Sequence, residues 1–107
     1  GQDTWVFPGA EALAAARHLP ALRRAIRLRE RALITYIDGA GILTERPIRP
    51  LLLEFWGRVW TLASWCEARQ AFRSFRVDRI DSLTLTGAGF PDEPGTTLAD
   101  WRRLHGS

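Results

Sequence analysis

Arg73, Arg76 and Arg79 fall within seven residues, with Asp78 between the last two. Guanidinium groups at that density suit one chemistry above others. Each is a planar fork of N–H donors that grips phosphate or carboxylate bidentately and stacks on rings. Side chains alternate along a strand, so a straight segment sends Arg73 and Phe75 to one face and Arg76 to the other. A turn at Asp78 and Arg79 brings Arg79 round towards one of the other two, while Asp78 orients an arginine or holds the turn through nearby backbone. The cluster closes a longer stretch, residues 56–80, that carries three of the five tryptophans, the sole cysteine and five of the fifteen arginines.

Other chemistries fail on inventory. The two histidines are His18, read as a charge at a helix C-terminus, and His105, read as a tail residue. No metal-ligand spacing, phosphate-binding Gly loop or nucleophile elbow occurs. Cys66 is alone, which excludes an internal disulfide and a four-cysteine zinc site, and it reads as a small buried residue. The sequence therefore predicts no enzyme, no cofactor and no metal. Every basic side chain apart from histidine is Arg, yet the net charge of +3 is too small by itself to imply an anionic partner. No apolar run approaches the ~20 residues of a membrane helix, and no signal peptide is visible, so a cytoplasmic protein is expected. The chain has no Met and begins Gly-Gln, as expected of a piece of a longer protein.

The elements that must position the arginines follow from periodicity. Residues 1–8 read as an arm or edge strand with Trp5, Val6 and Phe7. Residues 11–19 are Ala-rich and helical, and Pro20 suits the first turn of a second helix over 21–31. On that helix Leu22, Ala25 and Ile26 share a face, and Arg23, Arg27 and Arg31 form a basic stripe. The pattern then changes to a strand over 33–38, a turn at Asp38-Gly39-Ala40-Gly41, and a strand region over 43–56. Pro47 and Pro50 make the first half of that region an edge or a bulged, bent segment, with Leu51, Leu53 and Phe55 facing one way and Leu52 and Trp56 the other. Gly57-Arg58 is a two-residue hairpin connection. Strands follow over 59–66, with Trp60, Leu62, Ser64 and Cys66 on one face, and over 72–77. Val77, Ile80 and Leu83 are then spaced by three, as in one helical turn, before a short strand over 83–86. Thr97-x-x-Asp100 reads as a capping box opening a short helix through Trp101 and Leu104. The fold class is mainly β with flanking helices, a small five-stranded antiparallel barrel, closed or nearly closed.

Residues 22–85 resemble the WYL domain of bacterial transcriptional regulators of the YafY-like, DeoR-type group. The matching pieces are LRRAIRLRERALITY, TERPIRPLLL, GRVWTLASWCE and FRSFRVDRIDSLTLT, and the R-x-F-R-x-D-R-I run is the most specific. Trp60-Thr61-Leu62 stands where the family has Trp-Tyr-Leu, so Thr61 lacks a ring and a phenolic hydroxyl. The resemblance implies an Sm-like (SH3-type) barrel. It also implies a ligand-sensing role beneath an upstream winged helix-turn-helix that contacts DNA and is absent from this chain. The ligand would be anionic, single-stranded nucleic acid or a nucleotide, held by Arg73, Arg76 and Arg79 with Arg46, Tyr36 and Trp60 near the same surface. The alternative is a protein–protein module, a homodimer made through the barrel face with Trp5 or Trp56. The expected layout is an arm and helix over 1–19, the WYL-like barrel with its leading helix over 20–90, and a loop and short helix over 91–107.

Overall fold

The computed structural model describes residues 9–106, so the predicted arm with Trp5, Val6 and Phe7 lies outside the described residues. The elements are α1 (Ala10–Ala16), α2 (Leu19–Leu28), β1 (Glu30–Ile37), β2 (Leu43–Phe55), β3 (Trp60–Cys66), β4 (Ala71–Arg76), a 3-10 turn (Val77–Arg79), β5 (Ile80–Gly89) and α3 (Leu98–His105). All five strands form one antiparallel sheet in the order β4-β3-β2-β1-β5, a meander whose last strand returns to pair with the first. The fold is mainly β, as expected, but the sheet is not closed. No ladder joins β4 to β5; the 3-10 turn carries the chain between them.

Local chemistry explains the helix limits. Pro20 sits in the first turn of α2, where a missing N–H costs no helical bond. Arg29 then takes a left-handed conformation (φ 53°) and turns its N–H back to the Ala25 and Ile26 carbonyls, ending the helix. Arg31 is therefore not the third member of a helical stripe with Arg23 and Arg27; it lies in β1. His18 is also not a C-terminal helix charge. It occupies the position before α2, is 8% exposed, and its Nε2 lies 2.9 Å from the Ile80 carbonyl.

The prolines of β2 have a topological reason. Residues 43–48 pair with β1 and residues 48–55 with β3, so each half is laddered on one side only. Ile48 alone faces partners in both ladders, Ala32 on one side and Cys66 on the other. Beyond it, Pro50 pairs with Ser64 and Leu52 with Ala63, leaving Leu51 as the extra residue of a bulge. The bulge corrects the expected alternation: Leu51 joins Leu52 on the outer face, and Leu53 points inward.

Two apolar clusters result. The inner face of the sheet contributes Ala32, Ile34, Ile48, Leu62, Phe75, Val77 and Ile80, covered by Ala15, Leu19 and Leu22 of the helices. Each large side chain removed from water there contributes about 2 kcal/mol. On the outer face, Leu51 and Ala63 pack against Trp101 of α3, with Leu52, Phe72, Phe90 and Leu98 around them. The predicted capping box opens α3: Thr97 Oγ1 accepts from the Asp100 N–H at 3.2 Å, and Asp100 Oδ2 accepts from the Thr97 N–H at 3.1 Å.

Candidate functional site

The predicted helical turn after Val77 is real, and it decides how the arginines point. Phe75 is fully buried on the inner face, with the Tyr36 ring edge-on to it at a centroid distance of 4.9 Å. The Arg73 guanidinium, two residues back on the same face, lies 5.7 Å from the Phe75 ring centre. Arg76 points the other way, into a two-pronged pair with Asp78 (Nε–Oδ1 3.1 Å, Nη2–Oδ2 2.8 Å). Those hydrogen bonds, against a smaller opposing effect of burial, raise the Arg76 pKa. Its backbone N–H donates to the Tyr36 hydroxyl at 3.0 Å. Arg79 leaves the 3-10 turn towards the β1–β2 connection, where its Nη1 lies 3.6 Å from the place a Cβ on Gly39 would occupy. Asp38 shapes that connection by accepting the Ala40 and Ile42 N–H groups, each at 2.9 Å.

Tyr36 and Arg76 thus meet directly where β4 ends, Arg73 sits beside the Phe75 ring that Tyr36 also packs on, and Arg79 lies against the β1–β2 connection. Arg46 shares the inner sheet face: it pairs with Ile34, is a diagonal neighbour of Tyr36, and donates from Nε to Thr44 Oγ1 at 3.2 Å. Among the described residues, no carboxylate lies within ion-pair distance of Arg46, Arg73 or Arg79. Trp60 packs against the same inner cluster as Tyr36. It packs on Phe55 (4.9 Å between centroids) with Arg23 of α2 over its face at 5.6 Å.

Sequence reasoning missed a second charged assembly. Arg49 is 8% exposed and donates to Glu67 Oε2 at 2.8 Å and to Glu93 Oε1 at 3.0 Å; Arg31 Nε donates to the same Glu67 oxygen at 2.9 Å. Burial pushes the Glu67 carboxyl up, and the two guanidinium groups outweigh it and hold the pKa below its usual value. This network fastens β1, β2 and the segment before α3 to one another. Its sequence signal was two arginines within strands and two glutamates in connections, a pattern that also describes solvated surface. Its carboxylates leave no surplus positive charge for a ligand. His105, read as a tail residue, instead stacks on Trp101 at 4.4 Å and lines an outer-face groove with Glu54, Trp56, Thr61 and Ser74. Among the described residues, no group of His, Cys, Asp and Glu is placed to hold a metal, and no helix is long and apolar enough to cross a membrane.

A model of the WYL domain family matches residues 17–85. The chain belongs to the WYL domain family. This WYL domain is 35% identical over 80 residues to the DNA-binding transcriptional repressor CapW of Stenotrophomonas maltophilia, covering 74% of this chain and 27% of that protein. Its fold superposes on the proteasome accessory factor B/C (PafBC) of Arthrobacter aurescens with a TM-score of 0.67 and 28% identity, covering 73% of this chain and 12% of that one. The chain spans about a quarter of the length of the curated repressor it matches. The likeness is to a regulator of transcription, not to an enzyme.

Proposed function

We propose that this WYL domain senses a negatively charged ligand, single-stranded nucleic acid or a nucleotide, for a cytoplasmic bacterial transcription factor that reads DNA through another domain. The observation that carries the reading is a set of arginines with no carboxylate partner among the described residues: Arg73 over the Phe75 ring, Arg79 at the end of the 3-10 turn beside the β1–β2 connection, and Arg46 opposite Ile34 on the inner sheet face. In this reading Arg46, Arg73 and Arg79 contact phosphate. Arg76 positions them, its guanidinium being held by Asp78, while the Tyr36 hydroxyl accepts from the Arg76 N–H and keeps its own O–H to donate to a phosphate oxygen. Trp60 belongs to the packing under α2. Ligand held by Arg73 and Arg79 would shift β5 against β4, which no ladder joins, and β5 carries the contact of His18 to the helices. Fluorescence anisotropy with short labelled single-stranded DNA tests the reading: saturable, salt-sensitive binding supports it, and its absence in the wild-type domain sinks it.

A second reading, contact between copies, is favoured by the exposure of Phe55 (51%), Trp56 (65%) and Leu104 (72%). Sedimentation over a range of concentration decides it, and a monomer throughout removes it.

A further inference from the structure

We infer that the outer face carries a second binding site, for the guanidinium or primary ammonium group of a small organic cation. A groove of ≈ 430 Å³ runs between the end of α3 and strands β2, β3 and β4, lined by Glu54, Trp56, Thr61, Ser74, Trp101 and His105. Its floor spans two neighbouring cross-strand rows of one face: Glu54–Thr61, which continues to Arg76, and Ala63–Ser74. The indole N–H of Trp56 donates to Thr61 Oγ1 at 2.9 Å, which fixes an otherwise exposed ring at the mouth of the groove. On the far wall, His105 Nδ1 lies 2.7 Å from the Trp101 carbonyl. A carbonyl only accepts, so Nδ1 carries a proton and the ring is held against the Trp101 carbonyl.

The groove is therefore rich in acceptors and π-faces and poor in positive charge. Glu54 supplies a carboxylate with no cation within ion-pair distance among the described residues. No arginine lines the groove: Arg76, opposite Thr61, is paired with Asp78, Arg103 with Asp100 and Arg58 with Glu11, and Arg102, next to Trp101, is exposed and outside the lining. An anion would meet the Glu54 charge with no donor fork facing it. An alkylguanidinium or alkylammonium group would place N–H donors on Glu54 and its charge against indole faces, an arrangement in which both terms are attractive. The site lies on the sheet face opposite Arg73 and Phe75, and it is independent of the anion reading. It also gives Thr61 a role. A tyrosine ring at this position, as in the family's name motif, would take up the space that Thr61 leaves open beside Trp56.

Agmatine, which carries a guanidinium at one end and a primary ammonium at the other, is a suitable probe, followed by quenching of tryptophan fluorescence in the whole chain. The expected result is saturable quenching that weakens about tenfold in Glu54→Gln, the loss of one charge-assisted hydrogen bond. It should vanish in Thr61→Tyr, which fills the groove without touching the carboxylate, and be unaltered in Arg73→Ala. An arginine-containing tripeptide run in parallel separates a free small cation, for which agmatine alone binds, from a basic side chain presented by a protein. Quenching by neither probe, or equal affinity in wild type and in whichever of Glu54→Gln and Thr61→Tyr folds, overturns the inference.

Discussion

The Tyr36 hydroxyl accepts a hydrogen bond from the Arg76 backbone N–H at 3.0 Å, joining β1 to the end of β4. These strands are not neighbours in the sheet, so the bond spans from an inner strand to the edge strand β4 without a ladder between them. Tyr36→Phe removes the acceptor and keeps the edge-on packing against Phe75. We expect a loss of about 1 kcal/mol, read as a lower urea midpoint with an unchanged slope. Amide exchange at Arg76 should quicken.

Arg73→Ala and Arg79→Ala should each weaken binding of a single-stranded oligonucleotide. If each arginine holds one phosphate, each substitution lowers the slope of log affinity against log salt by about 0.7. Arg102→Ala, on the exposed side of α3, should leave both quantities unchanged. Anisotropy titrations at several salt concentrations provide the comparison.

Glu67 gives the domain an acid limit. Its pKa is held below the usual 4.5 because the hydrogen bonds from Arg31 and Arg49 together outweigh the effect of burial. The folded state therefore binds fewer protons than the unfolded chain just below that value. The stabilisation is complete above pH 4.5 and is lost as the pH falls through the lowered folded value. Glu67→Gln should flatten this acid limb in thermal melts. Glu67→Ala should cost about 2–3 kcal/mol at neutral pH, since Arg49 keeps Glu93 but its buried charge loses half its partners.

His18 sets a second, milder dependence. Burial lowers its pKa below 6.5 against the pull of the Ile80 carbonyl, with Arg17 adding to the lowering and Asp81 opposing it. The unfolded chain therefore takes up the proton first as the pH drops. Stability is complete above pH 6.5 and declines below it until the folded-state value is passed. Melting temperatures of His18→Gln should fall less than those of the wild type between neutral pH and pH ~5.

Thr97→Ala tests the α3 cap. The hydroxyl satisfies the Asp100 N–H, and its loss should cost about 1 kcal/mol by chemical denaturation. Trp101 rests on Leu51 and Ala63 beneath the same helix, so its fluorescence should report the loosening.

Where one physical cause dominated, the sequence was legible. Strand periodicity located the meander, the capping box located α3, and the three-residue spacing from Val77 located the 3-10 turn that aims Arg79. Competing local and long-range causes hid the rest. Arg31 fits a helical stripe until the left-handed Arg29 ends the helix, and the inversion of Leu51 depends on a bulge that only the pairing partner Ala63 makes visible. Arg76 reads like its neighbours Arg73 and Arg79, yet a carboxylate two residues away takes its guanidinium. The arginine over the Trp60 ring, Arg23, comes from α2, 37 positions earlier, a contact that strand periodicity does not disclose. None of the long-range partners of Arg49 leaves a mark within its own sequence window.

The single doubly paired residue of β2 has a dynamic consequence. With Ile48 as the only shared rung, the sheet divides into two three-stranded blades that meet at one residue, β5-β1-β2 and β2-β3-β4. Each blade can open without unzipping the other, so amide protection should divide into two cooperative units at Ile48. A change in the angle between the blades would be felt first at the rim where Tyr36 meets Arg76.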